Sequence, residues 1–304
     1  MRHEPLVEVW RDGLPESVHY GSLVVLGPDG AVRFALGEID APCYPRSTAK
    51  LMQAVGLVRL GLDLPPDLLA LAAASHSGEE FQLAGARRIL DTCGLTEHDL
   101  GNPESLPYEA EIRDVWLAAG RPARKLAHCC SGKHAAMLAV ARAHGSSTAD
   151  YLDPGHPLQR ALADTVEDLT GEHIACVAVD GCRAPLFAVS LRGLARAAGR
   201  IAAAPAGSPE RRVARAIRRH PEMLAGPRRD VTRLMTAVPG LIAKDGVEAV
   251  QVVGLPDGTA IALKIADGGD RARMPATLAA LSLTGTTLPG PLGMPDSLRA
   301  TFGA

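Results

Sequence analysis

Residues 22–36 read SLVVLGPDGAVRFAL, two apolar runs folded around Gly27-Pro28-Asp29-Gly30. Proline presets a turn φ and glycine accepts the left-handed region, so the stretch reads as a β-hairpin. A second hairpin is read near the other end of the chain. There 248–254 (EAVQVVG) and 259–265 (TAIALKI) flank the turn Pro256-Asp257-Gly258. Between the hairpins the apolar period changes to that of helices, from about Ser47 to Gly171. The clearest helical pieces are 47–60, 66–74, 80–92, 132–144 and 156–170, separated by Gly, Pro and Asn. Strand patterns return at 173–180 and 186–192, with helices expected over 193–203, 208–225 and near 272–283; the tail from Thr284 receives no regular element. Strands at both ends enclosing a helical insertion predict an α+β fold, an antiparallel sheet flanked by helices with a mainly helical second region. The chain is read as a single unit over 1–304, its sheet-containing part approximately 1–46 and 172–304 and its helical part approximately 47–171.

Bulk properties narrow the class of function. Of 304 residues 47% are apolar and only 3% aromatic, so Ala, Leu and Val must fill the core. A net charge of −2 gives no electrostatic reason to expect nucleic acid or a membrane surface as partner. The N-terminus MRHEPLVEVWRDG has no apolar stretch of signal-peptide length, and no run of about 18 apolar residues suggests a membrane span. A cytoplasmic location is the default expectation. Six cysteines are too sparse for a disulfide scaffold, so thiols, buried or bound to metal, are expected.

Chemistry enters at residues 45–50, Pro-Arg-Ser-Thr-Ala-Lys. Ser47 is read as a helix cap before the apolar run LMQAVGLVRL. From there Ser47 and Lys50 share a face with Ala54 and Leu57. A lysine on an apolar face in a first helical turn is destabilised as a cation by burial and by the macrodipole, which lowers its basicity. Such a lysine can take the proton of a serine, a weak nucleophile until it is activated. The same spacing also arises by chance, with serine as cap and lysine in solvent. Ser75-His76-Ser77-Gly78-Glu79 then follows the run LALAAA, either a capping turn or a polar edge of a core.

At 128–134, His-Cys-Cys-Ser-Gly-Lys-His leads into a helix, and Lys133 again occupies a first turn where a carboxylate is expected. Cys130 and Cys182 supply soft donors, and His134 or an unprotonated Lys133 can supply nitrogen, a set compatible with zinc; two buried free thiols are the competing reading. In 259–265 alternation puts Lys264 beside Ala260 and Ala262, either lining a cleft or as a solvent-facing edge lysine.

The order R-S-x-x-K, S-H-S-G-E, C-S-G-K-H, V-D-G-C and I-A-L-K-I-x-D-G resembles the asparaginase II family, the rhizobial-type or class 3 L-asparaginases. The similarity extends from Glu16-Ser17-Val18-His19 through His220-Pro221-Glu222 and Ala225-Gly226 to Lys264. Members resemble serine β-lactamases in fold, with an S-x-x-K helix, a second serine motif and a lysine on the sheet edge. The resemblance implies Ser47 as nucleophile, Lys50 as its base, and a second dyad of Ser77 with Lys264. It implies Arg46, His134 and Asp180 near the substrate, and Cys130, Lys133 and Cys182 as ligands of a zinc ion that supports substrate binding more than hydrolysis. L-asparagine as small-molecule substrate, hydrolysis to L-aspartate and ammonia, and a homodimer are further expectations. Two departures stand out. A cysteine common in the family near Gly246-Val247-Glu248-Ala249 is absent, and Pro227-Arg228-Arg229-Asp230 is more basic than the usual glycine-bearing pattern. A glutaminase or β-lactamase-like acyl-transfer enzyme, and a non-catalytic zinc protein that binds an amino acid, are the competing functions.

Overall fold

A computed structural model describes residues 2–288, 292 and 295–303. Strands β1 (Glu4–Arg11), β2 (Leu14–Leu26) and β3 (Val32–Leu36) open the chain. A 3₁₀ turn (Arg46–Ala49) runs into α1 (Lys50–Arg59), followed by α2 (Pro66–Ala72), α3 (Glu80–Asp91), α4 (Ala110–Ala118), α5 (Ser131–Ala143) and α6 (Pro157–Thr170). Next come β4 (Cys176–Val179), β5 (Pro185–Ala188), α7 (Leu191–Ala202), α8 (Pro209–Arg219), α9 (Pro221–Leu224) and α10 (Asp230–Ala237). The chain continues through β6 (Ile242–Gly246), β7 (Val250–Gly254), β8 (Ala260–Ile265), α11 (Asp270–Ser282) and β9 (Leu298–Ala300).

The expected α+β architecture is present: the strands form an antiparallel sheet in the order β6-β7-β8-β2-β1-β9, with β3 also on β2. The β2–β3 hairpin turns at Gly27–Gly30, and β2 is long enough to carry β1 on its first half and β3 on its second. Its other edge pairs with β8, Gly21 opposite Ile265 and Leu26 opposite Ala260. This register joins the two ends of the sequence into one sheet. Helix α7 lies on the sheet at close range: a Cβ at Gly254 would meet the Ala198 carbonyl at 2.5 Å, and one at Gly199 the Gly258 carbonyl at 2.4 Å. Backbone can approach backbone there only because both positions lack a side chain.

The structure corrects several expectations. The N-terminal β1, α4, α10 and the edge strand β6 are elements that the sequence reading lacks, and the tail contains the short β9. Segment 173–180, read as a buried strand, is a short strand from Cys176 with Val177 and Val179 exposed, paired with β5 outside the main sheet. Helix α7 begins at Leu191, where Ser190 accepts from the Gly193 N–H as its cap, so the strand expected to reach 192 ends at Ala188. The tail positions 289–291, 293, 294 and 304 lie outside the described residues.

Two helices carry lysines into the core. Residues Lys50–Val58 of α1 and Ser131–Ala141 of α5 are buried throughout. A helix buried all round is a core element, not an amphipathic surface one. Lysines placed at the starts of these two helices therefore enter the protein interior.

Candidate active site

Ser47 lies inside the 3₁₀ turn, which begins at Arg46 with Pro45 as its cap, so it is not the helix cap expected from sequence. The hydroxyl that bonds back is that of Thr48, to the Pro45 carbonyl at 2.7 Å. Ser47 stands three residues before the first residue of α1, Lys50, across the junction of the two helices. Ser47 is half-buried and Lys50 wholly buried. Arg46 adopts φ 50°, a left-handed conformation that costs a non-glycine residue about 1–3 kcal/mol and persists only where the surroundings impose it. Here the Arg46 Nε donates to Asp180 Oδ1 at 3.0 Å. Strand β6 presses on the other side: a Cβ at Gly246 would lie 3.1 Å from both the Ser47 nitrogen and the Pro45 carbonyl.

The Lys50 ammonium donates to the Ala74 carbonyl at 2.8 Å, the Ser75 hydroxyl at 2.8 Å and the Cys130 sulfur at 3.1 Å. Burial pulls its basicity down, as the sequence suggested, but the neighbouring sulfurs of Cys130, Cys129 and Cys182 outweigh that and raise it. Lys50 is thus a firmly held cation in this form. Its serine partner, Ser75, belongs to a segment stitched in place by main-chain bonds. The N–H groups of Ser75, His76 and Ser77 donate to the carbonyls of Leu224, Cys129 and Ala225 at 3.0, 3.0 and 2.7 Å.

Ser77 and Lys264 direct their hydrogen bonds to different partners. The Ser77 hydroxyl donates to Glu109 Oε2 at 3.3 Å, and Lys264 Nζ donates to the Glu248 and Ile265 carbonyls at 3.0 and 3.1 Å. Lys264 stands on β8, between β7 and β2, so it is not on a sheet edge. Burial lowers its basicity.

The sheet-edge lysine is Lys244 on β6. It is wholly buried, shares a strand face with Gly246 by alternation, and donates to the Asp245 carboxylate at 2.7 Å and carbonyl at 2.8 Å. Burial first, and then the charge of Lys50, lower its basicity to about 8, with Asp245 acting against both. Asp245 also binds Arg229 at 2.5 Å, whose guanidinium lies 4.8 Å over the Tyr108 ring, while Arg228 reaches Glu111 at 2.8 Å. The unexpectedly basic stretch 227–230 thereby anchors the strand that carries Lys244. Sequence reading missed Lys244, Ser75 and Glu109. The available signal was Lys-x-Gly at 244–246, the third motif that accompanies S-x-x-K and a second serine.

Cys130, Lys133 and Cys182 converge. Lys133 Nζ lies 3.2 Å from the Cys182 sulfur, and Cys130 and Cys182 pack together with Ala184. Bonding with Cys130, with burial acting the same way, raises the Cys182 thiol, whereas bonding to Cys130 lowers Cys129 to about 6. His134 sits beside this cluster. Its Nδ1 is 2.7 Å from the Tyr151 hydroxyl, its buried Nε2 has no partner among the described residues, and burial lowers its pKa to about 4. Two soft sulfurs, an amine and an orphaned neutral imidazole nitrogen are a donor set that fits zinc. Asp180 joins the cluster to the Ser47 turn, with its carboxylate 3.0 Å from Arg46 and 3.8 Å from the Cys182 sulfur. Its carboxyl is raised by burial but held low on balance, chiefly by Lys133.

The family model for L-asparaginase II matches residues 7–297. The chain belongs to the L-asparaginase II family. The order of motifs from Arg46 to Cys182 lies within the matched region. Among curated proteins no match is found. Solved structures with some likeness include Mglu in its native form, at 15% identity over 87% of this chain with a TM-score of 0.45. This chain spans 63% of the length of that structure. A β-lactamase from Mycobacterium bovis matches at 15% identity over 88% of this chain and 95% of its own, TM-score 0.43. EstCE1, a hydrolase with promiscuous acyltransferase activity, matches at 13% over 81% and 88%, TM-score 0.40. No helix among the described residues is long and apolar enough to cross a membrane.

Proposed function

We propose that this member of the family is an L-asparaginase that hydrolyses L-asparagine to L-aspartate and ammonia through Ser47. The observation that carries the reading is a half-buried serine three residues before a buried lysine whose ammonium reaches, at 2.8 Å, a second serine hydroxyl. Ser47 Oγ attacks the side-chain amide carbon and gives its proton to Lys50. The transfer is a concerted relay: the Lys50 ammonium releases a proton to Ser75 Oγ as Ser75 gives its hydroxyl proton to the amide nitrogen, the vacated amine takes the Ser47 proton, and the nitrogen leaves as ammonia. Lys244, with two of its donors engaged and its basicity lowered to about 8, stands in for Lys264 as the second lysine and activates the water that resolves the acyl-enzyme. Arg46 and Asp180 offer opposite charges to the carboxylate and ammonium of a free amino acid. That pairing favours an amino-acid amide over a β-lactam. A homodimer and a cytoplasmic setting belong to the same proposal.

Ammonia release is the test, measured with asparagine, glutamine and a chromogenic β-lactam side by side. Asparagine should be turned over with the highest kcat/KM, and preferential turnover of either other compound reassigns the substrate. The first-turn N–H of Ser47 is an orphan donor of a helix start and faces Gly246, so it is a candidate for the oxyanion hole. Gly246→Ala puts a methyl 3.1 Å from that nitrogen. We expect kcat to fall about 10²–10³-fold, the cost of losing one oxyanion donor, with KM changed less; an unaltered kcat would remove this N–H from the mechanism.

Cys130, Lys133 and Cys182, with His134 adjacent, would hold zinc. Bound there it supplies positive charge that orients an anionic substrate group. Untagged protein should contain about one zinc per chain, as expected of one four-donor site, and Cys182→Ser should lose it and raise KM more than it lowers kcat. A Cys182→Ser variant that keeps both the parent's zinc affinity and its KM would reject this ligand set.

A further inference from the structure

The turn before α5 carries thiol chemistry that the hydrolytic reading leaves unused. Donor atoms of His128, Cys129 and Cys130 all lie within 4.8 Å of one another, and the Cys129 and Cys130 sulfurs are 3.7 Å apart. Cys129 and His128 are partly exposed, whereas Cys130 is buried. Nδ1 of His128 accepts the Cys130 N–H at 3.0 Å and so faces into the turn. Two adjacent sulfurs and an imidazole nitrogen suit soft and borderline cations over Mg²⁺ or Ca²⁺. The triad differs from the Cys130–Lys133–Cys182 set, sharing only Cys130.

We propose that His128, Cys129 and Cys130 bind a thiophilic metal ion, and that this ion inhibits the enzyme by withdrawing the Cys130 sulfur from Lys50. On binding, both sulfurs coordinate as thiolates, any proton still held passing to solvent, and the ion replaces the Cys130 N–H as partner of His128 Nδ1. The Cys130 sulfur that accepts from Lys50 at 3.1 Å becomes a metal ligand, and the bound cation repels the ammonium beside it. Lys50 then keeps only the Ala74 carbonyl and Ser75 hydroxyl, and the amine beneath Ser47 shifts. The binding part is independent of the hydrolytic reading; the inhibition part rests on it.

Cadmium is the probe, titrated into the purified full-length chain and followed by thiolate-to-metal charge-transfer absorption, with ammonia release measured in parallel. Cys182→Ser should retain tight cadmium binding. Cys129→Ser should weaken it, as should His128→Asn, which keeps an acceptor for the Cys130 N–H but replaces nitrogen by a hard oxygen. Each loss should be at least about 10-fold, the lower end of what even an outer-shell partner contributes to metal affinity. Measured against its own activity without cadmium, Cys129→Ser should resist inhibition to the same extent. The proposal is overturned if Cys129→Ser binds cadmium as tightly as the parent, or if Cys182→Ser alone abolishes the absorption band. If no activity with asparagine is found at all, the absorption titration still decides the site.

Discussion

Ser47→Ala should reduce kcat for asparagine hydrolysis by at least about 10⁴-fold, the scale on which serine hydrolases lose rate when the nucleophile is removed. The size of the effect follows from roles that do not substitute for one another. Lys50 can move a proton only if an oxygen attacks, and the other two serines nearby are committed elsewhere. Ser75 accepts from Lys50, and Ser77 donates to Glu109 and lies against Gly226, where a Cβ would come within 2.3 Å of its oxygen. The fold should survive, because the change removes one half-buried hydroxyl from a turn whose side-chain bond back to the main chain is made by Thr48. Ammonia release together with an unfolding midpoint measures both halves. Near-parent turnover in a folded Ser47→Ala protein would transfer the nucleophile to another residue.

Arg273→Met should be the most destabilising single change away from the site, at about 3–5 kcal/mol, the cost of removing one partner from a buried ion pair. Arg273 on α11 is 2% exposed and donates to Asp230 at 2.7 Å, Asp270 at 2.7 Å and the buried Gln251 amide oxygen at 2.6 Å. Burial works against its charge, and Asp230, Asp245 and Asp270 more than compensate. Methionine matches much of the stem but leaves Asp230 facing the interior and the Gln251 oxygen without its donor. Urea unfolding should show a lower midpoint with an unchanged slope. The exposed pair Arg11–Glu16 is the contrast, and Arg11→Ala should leave the midpoint where it is. Equal effects of the two substitutions would show that the Arg273 network does not hold α10 and α11 to the sheet.

Much of the architecture was legible because its signals are local. The Gly27–Gly30 turn between two apolar runs specifies a hairpin, and the apolar period over 47–60 and 132–144 specifies helices, irrespective of what lies around them. Elements without such signals were missed. β6 is short and interrupted by Lys244 and Asp245, two charged residues that look like surface until Arg229 is brought onto them. β1 carries Glu4, Glu8 and Arg11, and it qualifies as a strand through its partners β2 and β9.

The sequence by itself determined the alternation of strands and helices, the Ser47–Lys50 spacing, and the grouping of thiols and lysine at the start of α5, since each depends on residues within a turn or two of one another. Tertiary structure alone decided the partners. Lys50 lies 25 residues from Ser75 and 80 from Cys130, and its hydrogen bonds to them depend on the segment after α2 and the start of α5 both packing on α1. Lys244 and Lys264 both sit on strands; which strand packs on the Ser47 turn was set by strand order, β6 being an edge and β8 interior. A lysine's basicity follows from the charges packed around it, and those are assembled only when distant segments meet.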